Sequence, residues 1–291
     1  MALAHNRRRC FSLRGFLQLT RFPNLLIIAL TQYMSAVFLV SHPENGYHRL
    51  LSLELFLLSL ATLMVAAAGY IINDYYDIKI DYVNKPDRVV VGKLINRRIV
   101  LVSHGVLNVL GICIGFYLSL KVGVIIFLAG FILWYYSNRL KRLPLIGNVS
   151  IALLTSLSII IIAVYYRQNE SLLMAYAVFA FSINLVREII KDMEDIRGDM
   201  RFGSKTLPIV LGFRRTKYLL YGLIALFILI LFVLAGRLGN SVLNVFFIGL
   251  IAPIAYLVYL LFRADTQKRF HRLSSFCKIL MLAGILSMSF F

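Results

Sequence analysis

The chain reads as an all-α, polytopic membrane protein with nine transmembrane helices around a central cavity. Three observations predict this. Hydrophobic residues make up 60% of the 291 and charged residues only 15%, whereas soluble domains run near half apolar and about 25% charged. Nine apolar stretches approach or reach the ~20 residues needed to cross a bilayer core of about 30 Å. The 31 Lys and Arg alternate between the segments separating those stretches as five, one, six, one, three, one, eight, one and five. That alternation is the positive-inside pattern for nine spans, with the N-terminus cytoplasmic and the C-terminus outside.

The stretches fall at 22–40, 51–72, 99–119, 122–137, 145–166, 171–190, 217–236, 241–262 and 273–291. The first follows a basic tail, residues 1–20, whose Arg7-Arg8-Arg9 run reads as a cytoplasmic anchor. No small-residue cleavage site follows that stretch, which argues against a removed signal. The second runs into an acidic cluster. The third holds His104 and Cys113 mid-span, read as a satisfied core histidine and an inert thiol. The fourth is the shortest and ends in Trp134-Tyr135-Tyr136. The fifth follows the short basic turn with Arg139, Lys141 and Arg142, and the sixth runs into a second acidic cluster. The last three follow with short connections. No linker breaks the chain, so residues 1–291 read as one membrane domain: two four-helix halves and one extra helix, with cytoplasmic loops at 73–98 and 191–216 capping a shared cavity.

The net charge of +18 is spread over alternate segments. It lacks the continuous basic face that nucleic-acid binding requires. Cys10, Cys113 and Cys277 are scattered, and the five histidines show no metal-ligand spacing, so neither a disulfide framework nor a zinc site is expected. No obligate protein partner is implied.

The chemistry lies in the acids. Of 13 acidic residues, nine sit in the windows 74–87 and 188–199. Asp74, Asp77 and Asp81 repeat the D-x2-D-x3-D spacing of Asp192, Asp195 and Asp199. On a helix such positions lie within about 60° of one another, so each triad lines one face. Acids beside lipid are costly and are functional candidates by default. Packed carboxylates repel unless cations bind. Magnesium prefers oxygen ligands shared between carboxylates and substrate phosphates. Two facing triads therefore suit Mg2+ ions bridging a diphosphate. Lys85, Arg88, Lys141, Arg201 and Lys205 are candidates for direct phosphate contacts. A diphosphate leaving group in a membrane points to a lipid substrate, and an allylic one calls for a dry, aromatic-lined cavity. Tyr70, Tyr75 and Tyr76 flank the first cluster.

At these residues the sequence resembles the UbiA superfamily of intramembrane prenyltransferases. Its N-D-x-x-D-x-x-x-D motif is complete at Asn73, Asp74, Asp77 and Asp81, and its D-x-x-x-D motif matches Asp195 and Asp199. Smaller matches are Arg21 and Asn24; Asn84, Pro86, Arg88 and Gly92; Lys141, Gly147 and Asn148; and Gly203, Lys205, Thr206, Leu207 and Pro208. Within the superfamily, the segment Arg187–Asp199 is similar to the R-E-I-x-K-D-x-E-D-x-x-G-D pattern of the digeranylgeranylglyceryl phosphate synthase group. Two departures stand out: Phe22 interrupts Arg-Pro, and Val89-Val90-Val91 replaces the usual R-P-x-P run.

The resemblance implies Mg2+-dependent transfer of a prenyl group, geranylgeranyl by the closer match, from its diphosphate to a lipid acceptor. Asn73, Asp77, Asp81, Asp195 and Asp199 would hold magnesium, with Asp74 and Asp192 ligating or supporting. Asp77, Asp81, Asp195 and Asp199 are the catalytic candidates. Arg88, Lys141 and Lys205 would grip the diphosphate, while Arg21 and Asn24 would face the acceptor head group. Geranylgeranylglyceryl phosphate is the expected acceptor; aromatic quinone precursors and tetrapyrroles are the alternatives that share both motifs. A cation transporter would also carry intramembrane acids, but nearer mid-membrane than these. A CDP-alcohol phosphotransferase would need an Asp-Gly pair, which is absent from the chain.

Overall fold

Within lipid every backbone polar group must be satisfied inside its own segment, which restricts a chain of this composition to helices. The computed structural model describes residues 12–40, 48–84, 86–238 and 241–291. Among the described residues nine helices are long and apolar enough to cross a membrane. The Arg7-Arg8-Arg9 run, Cys10 and Lys85 lie outside the described residues.

A short helix α1 (Leu13–Leu19) precedes the spans, capped by Ser12 accepting from the Gly15 N–H. Arg21 then adopts a left-handed conformation and breaks the chain direction before α2 (Phe22–Met34), which continues as a π-helical turn over Ser35–Leu39. The next helices are α3 (Leu53–Asn84), α4 (Arg97–Leu118), α5 (Leu120–Asn138) and α6 (Ile146–Tyr166). They are followed by α7 (Glu170–Arg201), α8 (Leu207–Leu238), α9 (Ser241–Arg263) and α10 (Gln267–Ser287). The runs α2–α5 and α6–α9 are the two four-helix halves, and α10 is the extra helix. The short fourth stretch does form a full span of 19 residues.

Helices α3 and α7 occupy matching places in the two halves, and each is 32 residues long. At 1.5 Å per residue each spans roughly 48 Å, well beyond the ~30 Å hydrocarbon core. Their last turns therefore overhang the apolar layer, and those turns carry the acids. The expected loops 73–98 and 191–216 are correspondingly shorter. Their first parts are helix, running to Asn84 and to Arg201.

Burial centres on α7, which packs against α3, α6, α8 and α10. Its apolar face, including Leu173, Tyr176, Phe179, Ile183, Val186 and Ile190, lies in the main core. A second cluster joins Leu19, Ile71, Val90, Val91, Ile95 and Val100. This explains the valine run at 89–91. Val90 and Val91 pin the loop after α3 onto α1 and α4, so apolar side chains replace a proline-stiffened turn. Phe22, the other departure, projects outward at 43% exposure, and Pro23 fits the first turn of α2.

The turn into α6 depends on close approach. A Cβ at Gly147 would lie 2.8 Å from the carbonyl oxygen of Leu140 and 3.0 Å from the Cα of Lys141. Both are backbone atoms and cannot rotate away. Gly147→Ala should therefore cost about 1–3 kcal/mol, as overpacking does, and lower the thermal unfolding midpoint in detergent. An unchanged midpoint would show that the Lys141 turn is free to shift.

Candidate active site

The two triads meet because one side chain fastens their helices together. Asn84, the last residue of α3, donates from Nδ2 to the Asp195 carbonyl at 3.0 Å. Its Oδ1 accepts from the Gly198 N–H at 2.8 Å. Both amide functions are thus used on the backbone of α7. The contact requires glycine: a Cβ at residue 198 would lie 2.4–2.6 Å from the Asn84 amide atoms. Asp77 and Asp199, one from each helix, consequently lie within electrostatic reach of each other.

Two helices also point their C-terminal ends at this place. The partial negative charge of a helix C-terminus reinforces attraction for cations there. The carboxylates are held apart by bases and amides. Arg21 NH2 donates to Asp74 Oδ1 at 2.9 Å and lies 5.0 Å from the centre of the Tyr70 ring. Burial works against the Arg21 charge, but Asp74 and Tyr70 more than offset it and hold the guanidinium above its ordinary pKa. Lys141 Nζ pairs with Asp77 Oδ1. Asn148 Nδ2 donates to Asp192 Oδ2 at 2.8 Å. Asp81 lies within reach of Arg21.

Among the described residues no three His, Cys, Asp or Glu side chains form a ready metal cage. Like charges spread when basic residues supply the compensation. The donor set nevertheless fits a hard divalent ion: it is made of oxygens, and Asn73 Oδ1 is buried with no hydrogen-bond partner.

The remaining expected residues fall in different places. Asn24 on α2 accepts from Lys278 on α10 at 3.4 Å. Lys205 is exposed, and its backbone N–H donates to the Arg142 carbonyl at 2.8 Å, tying the loop after α7 to the Lys141 turn. Arg88 closes the 3-10 turn Pro86–Arg88; its side chain lies outside the described part. His104 Nδ1 is 3.0 Å from the Ala68 carbonyl, the satisfied histidine expected.

Sequence reasoning missed three features. Tyr136 is within electrostatic reach of Glu188, Asp192 and Asp77, at the centre of the site. His271 on α10 meets the buried Glu194 at 3.0 Å. A cavity of about 450 Å³ opens beside that pair, lined by residues including Asn84, Asp87, Glu194, Lys268 and Arg272. It lies on the rim, and none of the six triad aspartates lines it. The tyrosine had a sequence signal, as part of the aromatic run ending α5. The other two depend on packing between distant helices.

Residues 27–282 match the model of the UbiA prenyltransferase family. A digeranylgeranylglyceryl phosphate synthase of Thermococcus gammatolerans is 35% identical over 263 residues, covering 89% of this chain and 91% of the relative. One from Methanosphaera stadtmanae is 30% identical, covering 94% and 97%. Among solved structures, one from work on digeranylgeranylglyceryl phosphate synthase in membranes has a TM-score of 0.74 at 23% identity, covering 95% of this chain and 96% of that one. A UbiA homologue from Archaeoglobus fulgidus bound to GPP and Mg2+ has a TM-score of 0.71 at 17% identity, covering 94% and 99%. These two likenesses establish the shared fold.

If Asn84 fastens the helix ends, Asn84→Ala should loosen them without unfolding the bundle. Two lost hydrogen bonds at about 0.5–1.5 kcal/mol each predict roughly tenfold faster amide exchange in 195–201. Exchange unchanged there would remove Asn84 from this role.

Proposed function

The chain belongs to the UbiA prenyltransferase family, and from that premise we propose that it transfers a geranylgeranyl group from its diphosphate to the hydroxyl of geranylgeranylglyceryl phosphate, making an ether lipid. The observation that carries the reading is the convergence of two aspartate triads from α3 and α7 at the overhanging ends of both helices. The synthase relatives that match over most of their length support the acceptor.

Asn73, Asp74, Asp77, Asp81, Asp192, Asp195 and Asp199 would hold Mg2+. Magnesium, when bound, offsets the charge that grows on the departing diphosphate. Lys141, paired with Asp77, would turn from that carboxylate to a phosphate oxygen, and Lys85, Arg88 and Lys205 would be the further diphosphate contacts. The allylic C–O bond breaks and its electron pair leaves with the diphosphate. The acceptor oxygen forms the new C–O bond, and its proton passes to a carboxylate or to diphosphate. Tyr70, Tyr76 and Tyr136 would offer π faces toward the allylic cation, and the surrounding helices would exclude water that would otherwise capture it, whereas Tyr75 packs into the second apolar cluster. Arg21 and Asn24 face the acceptor.

The whole chain acts as one membrane-embedded domain, without an obligate protein partner. The basic segments orient the N-terminus and both triads toward the cytoplasm, and the C-terminus outside.

Asp77→Ala and Asp195→Ala should each abolish Mg2+-dependent product formation, read by mass spectrometry with geranylgeranyl diphosphate and the glyceryl phosphate acceptor. Their thermal midpoints should stay near wild type; full turnover in either variant would defeat the assignment. For orientation, in a background lacking the native cysteines, Arg201→Cys should react with an impermeant maleimide only from the cytoplasmic face. Arg237→Cys should react only from the other, and the reverse pattern would invert the topology.

A further inference from the structure

One buried charge cluster is left unused by the reaction as described. Arg187, Glu188 and Lys191 lie on α7 just before Asp192. Arg187 NH1 donates to Glu188 Oε1 at 2.6 Å, and Lys191 Nζ to Glu188 Oε2 at 3.1 Å. Their side chains are 14%, 6% and 27% exposed for Arg187, Glu188 and Lys191. Arg187 also donates to Asn184 Oδ1 at 3.4 Å, while its Nε is buried without a partner. Glu188 lies within electrostatic reach of Arg21, and Tyr136 is within reach of Glu188.

Such a cluster is poor at stabilising a fold. Replacing buried ion pairs with apolar residues is often neutral or favourable, and ionisable groups within membrane spans are functional by default. Within the cluster two cations share one carboxylate, Lys191 also lies within electrostatic reach of Asp192 and Asp199, and Arg187 keeps a buried donor to spare. Arg21 adds positive potential from α2. The cluster is therefore set up for an anion, whereas the triads above it are set up for cations.

We infer that Arg187 and Lys191 form the subsite for the phosphate monoester of the acceptor lipid, with Glu188 occupying those two cations until the phosphate replaces it. The inference rests on the reaction proposed above and assigns its second substrate a place. A phosphate monoester carries a charge near −1.5 to −2 at neutral pH and three acceptor oxygens. A guanidinium can bind two of them in parallel. Glu188 precedes Asp192 by four residues, a rise of about 6 Å along the helix, a distance a three-carbon glyceryl unit can span. A phosphate held at Arg187 and Lys191 would leave the glyceryl hydroxyl directed toward the triads. An aromatic acceptor without a phosphate would not need this arrangement.

The test compares the phosphate acceptor with its dephosphorylated counterpart, the prenyl glycerol ether. Lys191→Gln and the paired change Arg187→Gln/Glu188→Gln are the variants; the second removes one charge of each sign and leaves Lys191, the more exposed cation, facing Asp192 and Asp199. Each should raise the KM for the phosphate acceptor at least tenfold. The KM for geranylgeranyl diphosphate should stay within about twofold, and the preference for the phosphorylated acceptor should collapse. Arg187→Lys should restore part of it. A retained preference, or equal KM changes for both substrates, would overturn the subsite. Thermal stabilisation by the phosphate acceptor, measured without turnover, separates the two claims. Stabilisation lost in the variants of an enzyme that makes no product would keep the subsite and sink the reaction. Product formed with an unchanged acceptor KM would do the opposite.

Discussion

Six carboxylates at the edge of a bilayer repel one another, and the fold must hold them together without letting that repulsion part the helices. The clasp between Asn84 and the backbone at Asp195 and Gly198 meets this constraint. It is made of neutral hydrogen bonds, so it neither adds charge nor weakens when the charge around it changes. The acids are then compensated one by one. Arg21 takes Asp74, Lys141 takes Asp77, and Asn148 takes Asp192. Each compensating group comes from a different place: the break before α2, the turn before α6, and the first turn of α6.

This division of labour has a dynamic consequence. A charge pair between two partly buried side chains is sensitive to any competing ion, whereas the backbone-anchored clasp is not. The helix ends can stay in register while Lys141 and Arg21 change partners. The close contact at Gly147 matters for the same reason: it fixes the turn from which Lys141 reaches the triad. The backbone bond from Lys205 to Arg142 braces that turn from the other side. A long flexible side chain on a fixed turn suits the exchange from carboxylate to phosphate proposed for Lys141.

Much of this was legible in the sequence. The repeated D-x2-D-x3-D spacing shows which faces carry the acids, because helical periodicity is local. The alternating basic counts predict which segments share a side. The spans were visible, although the ends of α3 and α7 were not. Hydropathy falls where the acids begin, yet both helices continue for two or three more turns with polar, largely half-buried side chains. The partners were less legible. Asn84 and Asn148 stood out only as members of short matching segments, and their contacts lie 111 and 44 residues away in the chain. Nothing in local spacing encodes such a pairing. Tyr136 looked like one more interfacial aromatic until α5 was placed against α3 and α6. The valine run at 89–91 read as a departure from pattern, and packing turned it into a small core.

Helix α7 carries two sites of opposite sign on one continuous rod. Arg187 and Lys191 come first, and the aspartates at 192, 195 and 199 follow toward the C-terminal end. The helix dipole runs the same way, with its negative end beyond the aspartates. The order of charges therefore agrees with the field of the backbone for binding cations at the overhanging end. The cationic pair lies deeper, where that field has faded, and there the carboxylate of Glu188 keeps two buried positive charges from standing alone. A single helix thereby fixes the separation between the basic cluster and the aspartates, because a rigid rod cannot vary its rise per residue. Two substrates that each carry phosphate would be told apart by depth: one by metal at the rim, the other by a guanidinium and an ammonium below it.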